Sequence, residues 1–292
     1  MRSRLTRLSR RSFVSFGIAS CLPNAFLRES PVEEHELEVS DSPRNLSRAM
    51  VALPSRRKAS DKLPVLVLLH GLGETTSPKL GLRAWLDAYG VPGALECLYE
   101  GHLPANTKYQ FLSDDERYAI GNSLHEQPFR GLCLVCPFLP NPYVGGNWQN
   151  ALGRYAGWLS DKLLPAVRRE FGGIISERVG LAGVSLGGFS ALECYLQRPT
   201  AFDSLGSIQG AFSKIYAQAA AKRLLAAGSN PAVYVSTSST DPYRVANMDF
   251  AHALEAAGAS VRLNVRKGPH SQAWLREVGT LDALLWHDRA LR

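Results

Sequence analysis

Gly183-Val184-Ser185-Leu186-Gly187-Gly188 comes directly after a strand-like run, Arg178–Ala182, and opens a helical pattern, Leu186–Gln197. A G-x-S-x-G pentapeptide between a strand and a helix is a strained turn that projects the serine hydroxyl. The turn is so tight that the positions flanking the serine must be small, and Gly183, Gly187 and Gly188 meet that demand. The pentapeptide alone is common by chance. Its place between strand and helix gives it weight.

Outward from this turn, apolar runs alternate with helical patterns. Strands are expected at Leu37–Val39, Arg48–Leu53, Pro64–Leu69, Gly131–Cys136, Arg178–Ala182, Ser204–Ile208, Ala232–Thr237 and Val261–Val265. Helices are expected over Ala151–Phe171, Leu186–Gln197, Ile215–Ala227, Val245–Ala257 and Thr280–Arg289. A hairpin-like start followed by alternating strand and helix predicts an α/β fold, with a mostly parallel central sheet and helices on both faces. The near-continuous apolar run Val65–Leu69 reads as a strand buried on both sides. Residues 74–130 break the rhythm, mixing a short helical piece (Leu82–Tyr89) with glycine, proline and charge. They are read as an insertion over the active-site edge of the sheet, too poor in apolar residues for a second core.

A nucleophilic serine needs a base, and the base needs an orienting acid. Of seven histidines, His270 sits in a loop just after the last expected strand, where this architecture gathers its chemistry. His252 and His287 fall inside helical patterns and read as surface or packing residues. Asp241 follows the strand Ala232–Thr237 and is the expected acid; capping the next helix is its alternative role, and Asp249 and Asp203 are weaker candidates for the acid. Donors for an oxyanion come from His70-Gly71-Leu72-Gly73 at the end of Pro64–Leu69. The backbone N–H groups of Leu72 and of Leu186 are the expected pair. His70 is expected to shape that loop by hydrogen bonding and not to act as a second base. Trp148 either lines a substrate pocket or packs its own loop.

The chain has 292 residues, 45% hydrophobic and 20% charged, within the range of ordinary globular proteins. Its formal charge is +7, but Arg2, Arg4, Arg7, Arg10, Arg11 and Arg28 fall in a stretch without acids. Taking those six from the total leaves residues 29–292 at +1, so no basic stripe for nucleic acid is expected. Residues 1–28 read as an export signal: a basic stretch, a short weakly apolar segment and a small-residue boundary. Ser9-Arg10-Arg11-Ser12-Phe13 resembles the twin-arginine export motif, and Ile18-Ala19-Ser20-Cys21 a bacterial lipobox, which would anchor the chain to a membrane through a lipidated Cys21. A periplasmic or cell-envelope location follows from that reading. Residues 29–47, polar with Pro31 and Pro43, read as a linker, and 48–292 as the folded domain. Cys133 and Cys136 are three apart in a strand, so they point to opposite faces and serve poorly as partners for each other or for one metal. No metal site is expected.

Together these residues give the chain its resemblance to a family. The run Leu66–Gly73, the Gly183–Gly188 turn, Asp241-Pro242-Tyr243 and Gly268-Pro269-His270 resemble the α/β-hydrolases of the esterase D and enterochelin-esterase-like group, which includes feruloyl and acetyl xylan esterases. The order Ser185, Asp241, His270 is that of the superfamily. The resemblance spans roughly residues 48–290 and implies a serine hydrolase acting on carboxylic esters, small or carbohydrate-linked, through an acyl-enzyme and without a cofactor. An acyltransferase on the same fold is the alternative. A non-catalytic envelope-associated binding protein would be expected to have a broken triad or oxyanion loop.

Overall fold

The computed structural model describes residues 30–292 apart from 41, 43–45, 59 and 106. The export signal, the lipobox and Cys21 lie outside the described residues. Among the described residues, eight strands form one sheet: β1 (Val32–Glu38), β2 (Arg48–Pro54), β3 (Leu63–Leu69), β4 (Cys133–Pro137), β5 (Ile175–Val184), β6 (Ser204–Ile208), β7 (Ala232–Ser238) and β8 (Val261–Arg266). The helices are α1 (Pro78–Arg83), α2 (Val91–Glu100), α3 (Asp114–Glu126), α4 (Trp148–Trp158), α5 (Leu164–Phe171), α6 (Leu186–Gln197), α7 (Lys214–Ala226), α8 (Arg244–Ala256), the single turn α9 (Gln272–Trp274) and α10 (Thr280–Ala290).

The spatial order is β1-β2-β4-β3-β5-β6-β7-β8. β2 runs antiparallel to both of its neighbours, and every pair from β4 to β8 is parallel. From β3 the chain passes to β4 on one side and then returns to β5 on the other. That reversal opens a crevice at the carboxyl ends of β3 and β5, where open α/β sheets bind their ligands.

Strand periodicity sorts the core into two layers. Val65, Val67 and Leu69 of β3 pack with Cys133, Leu181, Val235 and the faces of α4 to α8. Leu66 and Leu68 pack with Cys136, Ala182, Tyr234 and α2, α3 and α10. Cys133 and Cys136 thus face opposite layers, and burial pushes the Cys133 thiol up to about 12.

Two stretches differ from the sequence reading. Within the supposed linker 29–47, Val32–Glu38 is an edge strand of the main sheet, paired with β2 over its whole length. Only Val32 and Leu37 are buried; the acidic residues between them made the strand look like linker, and charge on an edge strand discourages stray pairing. The segment 74–130 does more than cover an edge. Trp85, Tyr89, Leu95, Leu98, Ile120 and Leu124 are buried in the second core layer, against the sheet and α10.

Candidate active site

β5 feeds directly into the turn that carries Ser185. Ser185 has φ 56° and ψ −117°, a conformation costly for a residue with a Cβ. Surrounding bonds hold it there. Its N–H donates to Ile208 O (2.9 Å), and its carbonyl accepts from Phe189 N (3.1 Å) and Ala211 N (3.0 Å). A Cβ on Gly183 would lie 2.3 Å from Gly187 O, and one on Gly187 would lie 2.3 Å from Leu69 O. Gly188 is less constrained, its nearest atoms being 3.1 Å from such a Cβ. Leu186 is the first residue of α6, so its N–H has no carbonyl partner within the helix, and the positive end of the helix dipole lies at Ser185.

The loops after β7 and β8 bring the other two side chains to Ser185. His270 Nε2 is 3.0 Å from Ser185 Oγ, and His270 Nδ1 is 2.9 Å from Asp241 Oδ1. The imidazole therefore bridges a hydroxyl and a carboxylate, donating from Nδ1 and accepting at Nε2. Asp241 is buried and accepts two further bonds, from Thr237 Oγ1 (2.7 Å) and Tyr243 N (3.0 Å). The bond from Tyr243 N closes a local Asx turn; α8 begins one residue later, with no side-chain cap. Asp203 sits at the start of β6, bound to Val179 N and Arg178, and Asp249 lies within α8; neither is the partner of His270. His252 is exposed on α8, and His287 is fully buried, with Nδ1 2.9 Å from Ser204 Oγ.

His70 behaves as a brace for the loop after β3. Its Nε2 accepts from Leu139 N (2.9 Å), which leaves Nδ1–H to donate to Gly71 O (2.9 Å). Burial lowers its pKa, so the ring stays neutral in that tautomer. The bond has a geometric consequence. No peptide bond among the described residues is cis, so with Gly71 C=O turned toward His70, the Leu72 N–H of the same peptide points the opposite way. Gly71 itself lies against the serine, since a Cβ there would sit 3.8 Å from Ser185 Cβ.

An aromatic cluster borders the site. Trp148 is half-buried and packs edge-to-face on Phe189, with 5.1 Å between centroids; Tyr143 stacks on the same ring at 6.3 Å. Trp148 thus both packs its loop and lies beside the helix that carries Ser185. Tyr243 meets His270 edge-on at 5.7 Å. Leu72, Tyr143 and Tyr243 are all exposed. Gln209 is a residue the sequence reading missed. With φ 47°, it sends its buried amide to Pro269 O (3.0 Å) and Ser238 Oγ (2.7 Å), bracing the loop of His270. No local pattern marks it.

Residues 143–281, which contain Ser185, Asp241 and His270, match the family described as "Putative esterase". The match covers just under half of the chain, whose fold is that of the α/β-hydrolases. Among solved structures, a ferulic acid esterase is 17% identical, with 89% of this chain and 98% of that one covered at a TM-score of 0.59. An S-formylglutathione hydrolase from Agrobacterium tumefaciens is 18% identical over 90% and 97%, with a TM-score of 0.55. The enterobactin esterase of Shigella flexneri is 17% identical over 89% and 59%, with a TM-score of 0.52. No curated protein matches the chain in sequence.

Proposed function

We propose that this protein cleaves carboxylic esters by acyl transfer through Ser185, with His270 as the base and Asp241 as the acid that orients it. The hydrogen-bonded line from Ser185 Oγ through His270 to Asp241 carries the reading. Ser185 Oγ attacks the ester carbonyl while its proton passes to His270 Nε2. The carbonyl oxygen becomes an oxyanion, received by the N–H groups of Leu186 and Leu72. The tetrahedral species collapses, the leaving alcohol takes the proton from Nε2, and the acyl group remains on Ser185. Water then repeats the sequence, giving up its proton to Nε2 and releasing the acid and the free serine.

Each part has a physical warrant. Asp241 keeps Nδ1 protonated, so Nε2 is left as the acceptor facing Oγ. Its own three bonds keep the carboxylate from turning away. Developing charge on the oxyanion lies at the positive end of α6, and one such donor is worth about 3 kcal/mol in the transition state. The exposed side chains of Leu72, Tyr143 and Tyr243 favour substrates with an apolar group beside the ester.

The test is labelling with a fluorophosphonate probe alongside p-nitrophenyl ester hydrolysis. Ser185→Ala should abolish labelling and lower the rate by about 10³-fold or more. Undiminished labelling of that variant would move the nucleophile elsewhere.

A further inference from the structure

We propose that Glu74, Tyr89 and Gln272 form a positioning network that holds the oxyanion loop in register with the loop of His270. The proposal rests on the assignment of Ser185, His270 and Leu72 given above, and adds three residues that do not touch the reacting atoms.

The connections run in one line. Gly71 N–H donates to Tyr89 Oη (3.1 Å), Tyr89 O–H donates to Glu74 Oε2 (2.5 Å), and Gln272 Nε2 donates to Glu74 Oε1 (3.0 Å). Gly71 and Glu74 flank Leu72, whose N–H is one oxyanion donor, and Gln272 is two residues past His270. Glu74 and Gln272 are 198 residues apart in sequence, so the carboxylate spans two loops that only the fold brings together.

The line also settles what each N–H in the loop can do. Gly71 N–H is engaged with the phenol and is not free to receive an oxyanion. Its peptide is held on one side by Tyr89, and the next peptide is held by His70 through Gly71 O. Two consecutive peptide planes are therefore fixed, and the Leu72 N–H is aimed by what holds its neighbours. Burial and the adjacent Glu74 carboxylate push the Tyr89 phenol well up, so it stays a neutral donor. A phenol donating to a carboxylate is also a stronger acceptor for the Gly71 N–H.

Tyr89 is well suited to a test, because its ring is anchored without the hydroxyl. It packs edge-to-face on Trp85 at 5.1 Å, and its backbone carbonyl accepts from Thr280 Oγ1 (2.6 Å). Tyr89→Phe therefore removes the link and keeps the packing. Gln272 is exposed, so Gln272→Ala breaks the other end at little cost to folding.

The experiment compares full-length protein with Tyr89→Phe, Gln272→Ala and the double variant. It measures kcat and KM on a p-nitrophenyl ester, inhibition by a boronic acid that forms a tetrahedral adduct on the serine, and fluorophosphonate labelling of Ser185. Tyr89→Phe should lower kcat by about 10- to 100-fold, with KM within about threefold and boronate affinity reduced in proportion to kcat. Gln272→Ala should give a smaller loss of the same kind. The double variant should be no worse than Tyr89→Phe alone, because both ends act through Glu74. Wild-type kcat per labelled site in Tyr89→Phe, or losses that multiply in the double variant, would overturn the network while leaving the Ser185 assignment intact. Failure of the wild-type protein to label at Ser185 would overturn that assignment, and the network with it.

Discussion

Asp241 shows how much of the site rests on single atoms. Its Oδ1 faces His270 Nδ1 and Tyr243 N–H, and its Oδ2 faces Thr237 Oγ1, all at 2.7–3.0 Å. An asparagine has one oxygen and one NH₂, so one of these positions would set donor against donor. Asp241→Asn should let the imidazole adopt the tautomer with Nε2 protonated, which cannot accept the serine proton. We expect kcat to fall by about 10³- to 10⁴-fold with KM little changed, and His270→Ala to fall as far as Ser185→Ala. Steady-state kinetics on one chromogenic ester decides it: a loss in KM alone would show that Asp241 serves binding. The placement of Ser185, Asp241 and His270 at strand ends was legible at this scale, because each follows an apolar strand and precedes a turn or helix. Gln209 and Tyr89 were not, since a glutamine and a tyrosine acquire their roles only from what stands opposite them in space.

The elbow between β5 and α6 depends on two glycines for different contacts. A methyl on Gly187 would be driven into Leu69 O and His70 O, both backbone atoms of the neighbouring strand β3 and the loop after it. Backbone cannot swing aside as a side chain does, so Gly187→Ala should destabilise by about 1–3 kcal/mol or more and reduce activity beyond that through displacement of Ser185. Gly173→Ala is the control: nothing lies within 4 Å of its added Cβ, and its stability should change by less than about 0.5 kcal/mol. Thermal unfolding of the two variants gives the comparison, and equal midpoints would show that the elbow tolerates bulk. The range of α6 was readable to the residue, because its start is set by the elbow and its end by Pro199 soon after. The helical pattern 151–171 reads as one helix, but the structure divides it into α4, a wider turn at Leu159–Leu163, and α5. Pro165 has no N–H to return to the carbonyl four residues back, and the wider turn absorbs that loss. Periodicity alone does not report such a change in winding.

At the scale of the whole molecule, the buried histidine of α10 gives the fold a dependence on acid. His287 packs onto β6, where a Cβ on Gly206 would reach within 2.5 Å of its Nε2, and burial lowers its pKa to about 3. An unfolded chain would protonate the same ring near 6.5. Above pH 6.5 both states are neutral there and the full stability is present. Between about 6.5 and 3 the unfolded state binds a proton that the folded state refuses, so stability falls by about 1.4 kcal/mol per pH unit as the pH drops. His70, also lowered by burial, acts in the same direction. His287→Asn should be less stable than the wild type at pH 7 yet lose less on acidification to pH 4.5; an unchanged loss in denaturant titrations would assign the acid sensitivity to other groups. The sequence by itself determined the alternation of strand and helix, the elbow and the order of the three site residues. Those properties are local: the period of apolar residues, the smallness of glycine and the position of a polar residue at a strand end. The tertiary structure decided that Val32–Glu38 joins the sheet, that residues 74–130 complete the second core layer, and that Glu74 meets Gln272. Each of these is a pairing between distant segments, and its energy belongs to both partners at once, so neither segment carries a sign of it alone.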